Sequence, residues 1–270
     1  MTASLARRVS AGIDMGARSV KVVVVESGDD TVPRVLGRHL MFPESLDMDA
    51  AAEKAYADAL QAAGLGAAQV GRIVATGAAR RLARFAHDEV TEVSSGARGA
   101  VFLFPAVRTV IDVGAEEGRG IKTSAAGRVI DFAGNEKCAA GAGAFAESMA
   151  RALQLPLAEF GAASLRSTQA IPMNAQCTVF AESEVVSLIH AATPREDIAR
   201  AVLDAVASRV CAMVRRVGIE DEVALIGGMV HNPGFVRALQ EALGVGRLLL
   251  PEAPEYVGAL GAALIAQQGG

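Results

Sequence analysis

Short runs of β-branched residues alternate along this chain with longer stretches rich in Ala and Leu. Three of the apolar runs predict buried β-strands, over Val20–Glu26, Arg72–Thr76 and Arg108–Val113. Apolar residues that recur every three or four positions predict helices over Asp49–Ala63, Gly143–Leu153, Phe180–Ala192, Arg195–Val217 and Asn232–Leu243. Because strands and helices are interleaved, the pattern indicates an α/β protein with central sheets.

An internal repeat adds to this picture. Residues 11–21 read AGIDMGARSVK, and residues 110–122 read VIDVGAEEGRGIK. Each copy places an Asp and a Gly where one strand ends, followed by a turn and by a basic residue that opens the next strand. Asp112 follows Asp14 by 98 positions. A duplicated strand–turn–strand predicts two lobes, with one copy in each lobe facing the other across a cleft.

Turns of this kind suit a phosphate group. Gly16 lets the main chain approach a phosphate closely, and Asp14 beside it can hold a hydrated Mg²⁺. A later stretch, VALIGGMVHN, breaks an apolar strand at Gly227 and Gly228. Such a break lets a flat ring lie against the backbone. The sequence contains neither a P-loop motif nor a dinucleotide-binding fingerprint, so a P-loop NTPase and a Rossmann dehydrogenase are both disfavoured.

Composition excludes several other classes. The chain has 270 residues, 51% of them hydrophobic, which is enough for two packed domains and too many for a disordered chain. A net charge of -4 and an aromatic content of 4% argue against a nucleic-acid partner. Apolar stretches such as Val257–Ala266 are too short to span a membrane, and no leader is visible. We therefore expect a cytoplasmic protein that makes no membrane contact.

The motifs together resemble a known family. GIDMGARSVK, VIDVGAEEGRGIK, IGGMVHN and the terminal EYVGALGAAL are similar to the phosphate, adenosine and connecting motifs of the acetate and sugar kinase/Hsp70/actin superfamily. Within it, the chain resembles the BadF/BadG/BcrA/BcrD-type ATPases from Ala11 to about Ala266. The resemblance implies a two-lobed, actin-like ATPase fold of duplicated ribonuclease H-like domains with a nucleotide cleft between the lobes. Residues 1–105 with a returning helix at 254–270 would form the first lobe, and residues 106–253 the second.

The resemblance also implies roles for particular residues, with ATP and Mg²⁺ as cofactors. Asp14, Asp112 and Glu117 would be catalytic. The residues expected to bind the nucleotide are Gly12, Gly16, Ser19, Lys21, Gly114, Gly227, Gly228 and Asn232. One departure stands out, because the family's second phosphate motif commonly reads DIGGQDSK and this chain reads DVGAEEGR. Glu116 replaces the usual amide, which changes how the attacking water would be oriented.

Three cysteines are too few for a disulfide scaffold. Cys138 and Cys177 each precede a predicted helix, where the positive end of the helix dipole suits an anionic sulfur. Their motifs, CAAGAGA and CTVFAESE, and their spacing of 39 residues resemble the family's cluster cysteines. A [4Fe–4S] cluster takes four thiolates, so two chains would share one cluster, as the resemblance also implies. Cys211 lies on an amphipathic helix and is expected to be a core residue.

Two further groups of polar residues are expected to carry no chemistry. His39, His87, His190 and His231 lack any metal-ligand spacing, and they are expected to be structural or exposed. Residues 80–84, RRLAR, are expected to form a solvated helix face.

The implied function is ATP-driven electron transfer. Ala142 and Ala144 stand where dehydratase activators usually have Thr and Arg. The Ala11–Lys21 region and the compact length also look more like the smaller ATPase subunit of a benzoyl-CoA reductase, an enzyme of anaerobic aromatic degradation, and together these features favour that subunit. That subunit would pair with a homologous larger ATPase subunit and pass low-potential electrons from a ferredoxin-like donor to substrate-reducing subunits. The alternative is a homodimeric activator of a 2-hydroxyacyl-CoA dehydratase. Two other classes of the same superfamily, a small-molecule kinase and a polymerising actin-like scaffold, leave the two cysteine motifs unexplained.

Overall fold

The protein divides into two compact units. The structure, a computed structural model, describes residues 7–28, 31–43, 47–134, 143–173 and 178–268. The first unit comprises Met1–Pro105, Ser124–Val129 and Glu255–Gly270, and the second comprises Ala106–Thr123 and Ile130–Pro254.

The first unit contains a mixed sheet in the order β3-β2-β1-β4-β5. Its strands are β1 (Arg8–Met15), β2 (Val20–Ser27), β3 (Arg34–Met41), β4 (Arg72–Thr76) and β5 (Asp88–Glu89). The three first strands form an antiparallel meander, whereas β4 pairs with β1 in parallel and β5 pairs with β4 in parallel. Helix α1 (Met48–Ala63) connects β3 to β4, and α2 (Glu92–Leu103) follows β5.

Helices cover both faces of this sheet, which explains the uninterrupted valine run of β2. Val22 and Val24 belong to the core cluster that includes α1, whereas Val23 and Val25 pack with the C-terminal helix α8 (Val257–Ala266). A strand that is buried on both faces has no position for a polar alternation. The valine run is therefore explained by a layer of helix on each face of the sheet.

The contact of β1 with α8 depends on small residues. A Cβ on Gly12 would lie 2.0 Å from the Ala259 carbonyl oxygen, so only glycine lets the helix approach this closely. The Ser10 hydroxyl donates to the Ala263 carbonyl at 2.9 Å on the same face of β1. On the other side of α8, a Cβ on Gly261 would lie 1.8 Å from the Ser95 carbonyl oxygen of α2. The small residues of EYVGALGAAL thus allow α8 to pack between β1 and α2.

The second unit repeats the strand order of the first. Its sheet runs β8-β7-β6-β9, with β6 (Thr109–Val113), β7 (Gly118–Thr123), β8 (Val129–Gly134) and β9 (Val223–Ile226). As in the first unit, the opening hairpin is antiparallel and a later strand joins its first strand in parallel. The helices of this unit are α3 (Gly143–Ala152), α4 (Leu157–Ser164), α5 (Thr178–His190), α6 (Arg195–Val217) and α7 (Pro233–Leu243).

Helix α6 forms the centre of the second core. Its apolar stripe includes Val206, Val210 and Val214, which are buried with Ile111 of β6 and Leu225 of β9. Cys211 is 3% exposed on the same helix, and its Sγ lies 3.2 Å from the Ala242 carbonyl oxygen. The prediction that Cys211 is a core residue is therefore confirmed.

The strands and helices predicted from periodicity are all present, with ends that shift by at most two residues. The prediction of a helix over residues 80–84 is wrong, since Arg80–Leu82 forms only a single 3-10 turn ahead of β5. Arg81 and Arg84 on this segment are nevertheless solvated, with side chains about four-fifths exposed (80% and 81%). Within the described ranges, no helix has the length and apolar character needed to cross a bilayer.

Candidate functional site

The first candidate turn joins β1 to β2 at the end of the Asp14 strand. The Gly16 amide donates to the Ser19 carbonyl at 3.0 Å and closes the turn. Lys21 stands opposite Asp14 in the strand register, and its Nζ lies 3.3 Å from Asp14 Oδ2. Both side chains are mostly buried, with 15% and 17% exposed, so their charges interact in a poorly hydrated place. Ser19 is also buried, at 8% exposure.

The second candidate turn joins β6 to β7 with the same geometry. The Gly114 amide donates to the Glu117 carbonyl at 3.0 Å. Arg119 stands opposite Asp112 in the register, with Nη1 at 3.5 Å from Asp112 Oδ2. Arg119 Nη2 also forms an ion pair with Glu117 Oε2. At the second turn, the Arg119 guanidinium therefore pairs with two carboxylates, those of Asp112 and Glu117.

The duplication that the sequence predicts is present in each hairpin. Asp, Gly and a basic residue occupy the same register positions in both, 98 residues apart. Sequence analysis assigned a site role to Lys21 and missed Arg119, although the basic residue that opens β7 was part of the repeat. Whether the two turns bind phosphate stays a prediction.

A glycine with positive φ follows the parallel strand in each unit. Gly227 comes directly after β9 with φ 87°, and its Cβ would lie 2.5 Å from the Val113 carbonyl oxygen and 2.7 Å from Asp112 Oδ1. Gly77 comes directly after β4 with φ 96°, and its Cβ would lie 2.4 Å from the Met15 carbonyl oxygen. Sequence analysis missed Gly77, because it corresponds to Gly227 only through the sheet order, in which each glycine follows the parallel partner of its unit's first strand.

The remaining predicted binding residues have different surroundings. A Cβ on Gly228 would meet open space, which leaves room for a ligand against this backbone. Asn232 caps α7, since its Oδ1 accepts from the Phe235 amide at 2.9 Å. Gly12 lies beneath α8, so close helix packing already accounts for its lack of a side chain. The role of these three residues in nucleotide binding stays a prediction.

Helix α8 approaches Asp14 with its N-terminal end. A Cβ on Gly258, in the first turn of α8, would lie 3.4 Å from Asp14 Oδ2. The N-terminus of a helix carries a partial positive charge, which stabilises a nearby carboxylate. Asp14 thus faces two sources of positive potential, α8 and Lys21.

Main-chain hydrogen bonds connect helix α3 to the second turn. The Gly143 amide donates to the Gly114 carbonyl at 2.9 Å, and the Ala144 amide donates to the Ala115 carbonyl at 2.7 Å. Cys138 and Cys177 themselves lie outside the described residues. Among the residues that are described, no three His, Cys, Asp or Glu side chains come together as a metal site.

Asp197 fixes the chain that leads towards Cys177. Its Oδ1 accepts from the Ser167 hydroxyl at 2.7 Å and from the amides of Thr168 and Gln169 at 2.9 and 3.1 Å. The hydrogen bond from Ser167, supported by the two amides, lowers the pKa of the Asp197 carboxyl below its ordinary value. Sequence analysis did not single out Asp197, because a contact over about 30 residues leaves no local pattern.

Comparison with known proteins identifies the chain. The model of the BadF/BadG/BcrA/BcrD ATPase family matches residues 11–266. The chain belongs to this family. The family resemblance predicted from the motifs is thereby confirmed, and the protein is an ATPase for which ATP and Mg²⁺ are the implied cofactors.

Relatives within the BadF/BadG/BcrA/BcrD ATPase family are similar over nearly the whole chain. The activator of lactoyl-CoA dehydratase from Anaerotignum propionicum is 37% identical, over 95% of this chain and 96% of that protein. The crystal structure of component A of the (R)-2-hydroxyglutaryl-CoA dehydratase of Acidaminococcus fermentans has a TM-score of 0.89 at 33% identity, covering 97% of this chain and 98% of that one. A ROK family glucokinase from Streptomyces griseus, 15% identical with a TM-score of 0.60 over 97% of this chain and 100% of its own, shows the fold alone. The predicted actin-like ATPase fold is confirmed.

The comparisons change the balance between the two family functions. A benzoyl-CoA reductase component from Thauera aromatica is 31% identical over 95% of this chain and 92% of its own length. The dehydratase activators are more similar, so the reductase function that Ala142 and Ala144 favoured is less well supported than the alternative. Two substitutions at neighbouring positions carry less information than similarity along the whole chain.

Proposed function

We propose that the chain is the ATPase activator of a 2-hydroxyacyl-CoA dehydratase. It would hydrolyse ATP and pass single low-potential electrons from a ferredoxin-like donor to the dehydratase. The observation that carries this proposal is full-length similarity, at 33–37% identity, to activators of lactoyl-CoA and 2-hydroxyglutaryl-CoA dehydratases. Cys138 and Cys177, in motifs that resemble the family's cluster motifs, supply the chemistry that electron transfer needs.

The two Asp-Gly turns are the proposed contacts for ATP. Asp14 and Asp112 carry hard carboxylate oxygens, the donors that Mg²⁺ and its bound waters prefer. Lys21, 3.3 Å from Asp14, places a cation where it can also meet phosphate oxygens. The amides of Gly16 and Gly114 already close their turns on carbonyl oxygens, so side chains would contribute most of the binding there. Bound Mg²⁺ would supply charge stabilisation at the transferred phosphoryl group.

The open backbone at Gly228 is the proposed contact for the base. Gly227 must be glycine because of its φ of 87° and its approach to Val113. Gly228 has no such requirement, since a Cβ there would meet nothing within 4 Å. A ligand that lies against the main chain is a physical reason for glycine at the second position.

The proposed cluster joins two chains. Cys138 and Cys177 provide two thiolates, and a [4Fe–4S] cluster commonly takes four, so a second identical chain would complete the set. When bound, the cluster supplies a one-electron carrier. The main-chain bonds from Gly143 and Ala144 to the turn at Gly114 and Ala115 tie the helix after Cys138 to the proposed phosphate contact.

The test starts with anaerobic purification of the full chain after iron–sulfur reconstitution. We expect a brown protein with about two iron atoms per chain, the share of one [4Fe–4S] cluster between two chains. Cys138→Ser and Cys177→Ser should lose the iron and keep nucleotide binding. Cys211→Ser is the matched control and should keep the iron, because that thiol is 3% exposed in the core. Iron-free wild-type protein, or iron lost from Cys211→Ser alone, would reject the cluster.

Activity then separates the two family functions. The loaded protein, with ATP and a strong reductant, should activate a 2-hydroxyacyl-CoA dehydratase, and a non-hydrolysable ATP analogue should not support activation. The smaller ATPase subunit of a benzoyl-CoA reductase would instead purify from its source with a larger ATPase subunit. That result would restore the reductase function that the sequence alone favours.

A further inference from the structure

Arg119 holds two carboxylates at the second turn. It lies on β7 with its side chain 14% exposed, next to Asp112, which is 18% exposed. One nitrogen of the guanidinium, Nη1, lies 3.5 Å from Asp112 Oδ2, and the other, Nη2, forms the ion pair with Glu117 Oε2. Glu117 itself is 51% exposed and lies in the turn, so Arg119 connects it to the buried base of the hairpin.

Comparison of the two hairpins shows what Arg119 adds. Lys21 occupies the register position of Arg119 and pairs with Asp14, the counterpart of Asp112. Ser19 occupies the position of Glu117. An ammonium is a single point charge, whereas a guanidinium presents a planar fork that can bind two carboxylates at once. The fork and the second acid thus occur together in one hairpin and are both absent from the other.

The pairing has a consequence for Glu117. A half-exposed glutamate samples many rotamers, and fixing one of them costs conformational entropy. Arg119 is largely buried and is anchored on Asp112, so it can hold the Glu117 carboxylate in one orientation before ATP binds. Preorganisation of this kind contributes to the rate of the chemical step more than to substrate affinity.

We infer that Arg119 is a positioning residue of the ATPase reaction, which holds the Glu117 carboxylate beside Asp112. This inference rests on the proposed assignment of Asp112 and Glu117 to the ATP site. Arg119 would act through Glu117, and it would make no essential contact with the phosphates of its own.

A double-mutant cycle tests this inference in the full chain. We expect Arg119→Met to lower kcat for ATP hydrolysis about 10-fold while KM for ATP changes less than about 3-fold. Glu117→Gln should lower kcat to a similar extent, and the double variant should fall within about 2-fold of either single variant, because the two residues act as one unit. Arg119→Lys keeps the charge but lacks the fork, so kcat should recover only in part.

The control variant changes a second cation of β7. Lys122→Met removes another cation from β7, one that pairs with Glu220 at 2.8 Å, and should leave kcat and KM unchanged. A double variant with a fall of about 100-fold would show independent roles and overturn the inference. A rise in KM for Arg119→Met at constant kcat would overturn it as well, since Arg119 would then bind the phosphate itself.

The same four proteins, compared by urea unfolding, give a readout that requires no catalysis. Non-additive unfolding midpoints are expected if Arg119 holds Glu117, and additive midpoints would contradict the inference. Should the wild-type protein hydrolyse no ATP, the proposed function fails, and the unfolding cycle still decides whether the two residues are coupled.

Discussion

Gly227 and Gly228 are adjacent in the sequence but differ in their surroundings. Gly227 has φ 87° and lies against the Val113 carbonyl, so an alanine there combines backbone strain with a steric clash. We expect Gly227→Ala to lower the free energy of unfolding by about 2–4 kcal/mol, measured by urea denaturation. Gly228→Ala should change it by less than about 0.5 kcal/mol, because its Cβ meets open space.

The same pair of variants separates folding from binding. If Gly228 lies against the base of ATP, Gly228→Ala should raise KM for ATP several-fold in a protein of normal stability. An unchanged KM would remove Gly228 from the proposed site, and a Gly227→Ala protein as stable as the wild type would contradict the described turn.

Asp14 and Asp112 end equivalent strands and pair with equivalent cations. We expect Asp14→Asn and Asp112→Asn each to lower kcat for ATP hydrolysis by roughly 100-fold, since both would remove negative charge that helps to position Mg²⁺ and water. A phosphate-release assay measures the change. Asp131→Asn, which alters an exposed acid on β8, should stay within about 2-fold of the wild type. Normal turnover in both Asp14 and Asp112 variants would refute the assignment.

At the scale of the elements, the sequence predicts what local periodicity determines and misses what distant contacts determine. The valine run of β2 and the amphipathic stripe of α6 identify their elements, because burial leaves a repeating pattern. The single 3-10 turn at Arg80–Leu82 leaves no such pattern, and the helix predicted over residues 80–84 is wrong. The packing of α8 on Gly12 shows the same limit, since the sequence alone does not reveal this contact, and the role of Gly12 in nucleotide binding stays a prediction.

The packing of α8 on β1 gives a prediction for an element. A Cβ on Gly12 would overlap the Ala259 carbonyl and the Ala263 amide, at 2.0 and 2.4 Å, and backbone atoms cannot move aside easily. We expect Gly12→Ala to destabilise the protein by about 1–3 kcal/mol or more, the usual effect of overpacking. Gly246→Ala is the control, because its Cβ would meet nothing within 4 Å. Thermal unfolding of both variants measures the difference, and equal melting temperatures would contradict this packing.

Asp197, in the first turn of α6, predicts that the stability of the protein depends on pH. The pKa of Asp197 is lowered in the folded protein, chiefly by the hydrogen bond from Ser167. A lowered pKa means that the stabilisation is present above the ordinary Asp value of about 3.9 and is lost as the pH falls through the lowered value. We therefore expect Asp197→Asn to melt below the wild type at pH 7, with a difference that shrinks towards pH 3. A difference in melting temperature that stayed constant from pH 7 to pH 3 would contradict this account of Asp197.

At the scale of the whole molecule, the two motif cysteines bear on how many chains assemble. Each chain of 27.7 kDa offers Cys138 and Cys177, and the proposed cluster needs both cysteines from each of two chains. The cluster would then cross-link the chains through metal–sulfur bonds, and binding of this kind stabilises the assembled state by mass action. The oligomeric state should therefore follow the iron content.

Removal of the iron tests this link directly. We expect the reconstituted protein to sediment as a pair of chains and to separate into single chains after treatment with a strong iron chelator under anaerobic conditions. A Cys138→Ser/Cys177→Ser double variant should sediment as a single chain from the start, whereas Cys211→Ser should behave as the wild type. Sedimentation velocity at several protein concentrations measures each state. An iron-free pair as tight as the loaded one would show that side chains alone hold the chains together, and the cluster would then lie at an interface that it does not create.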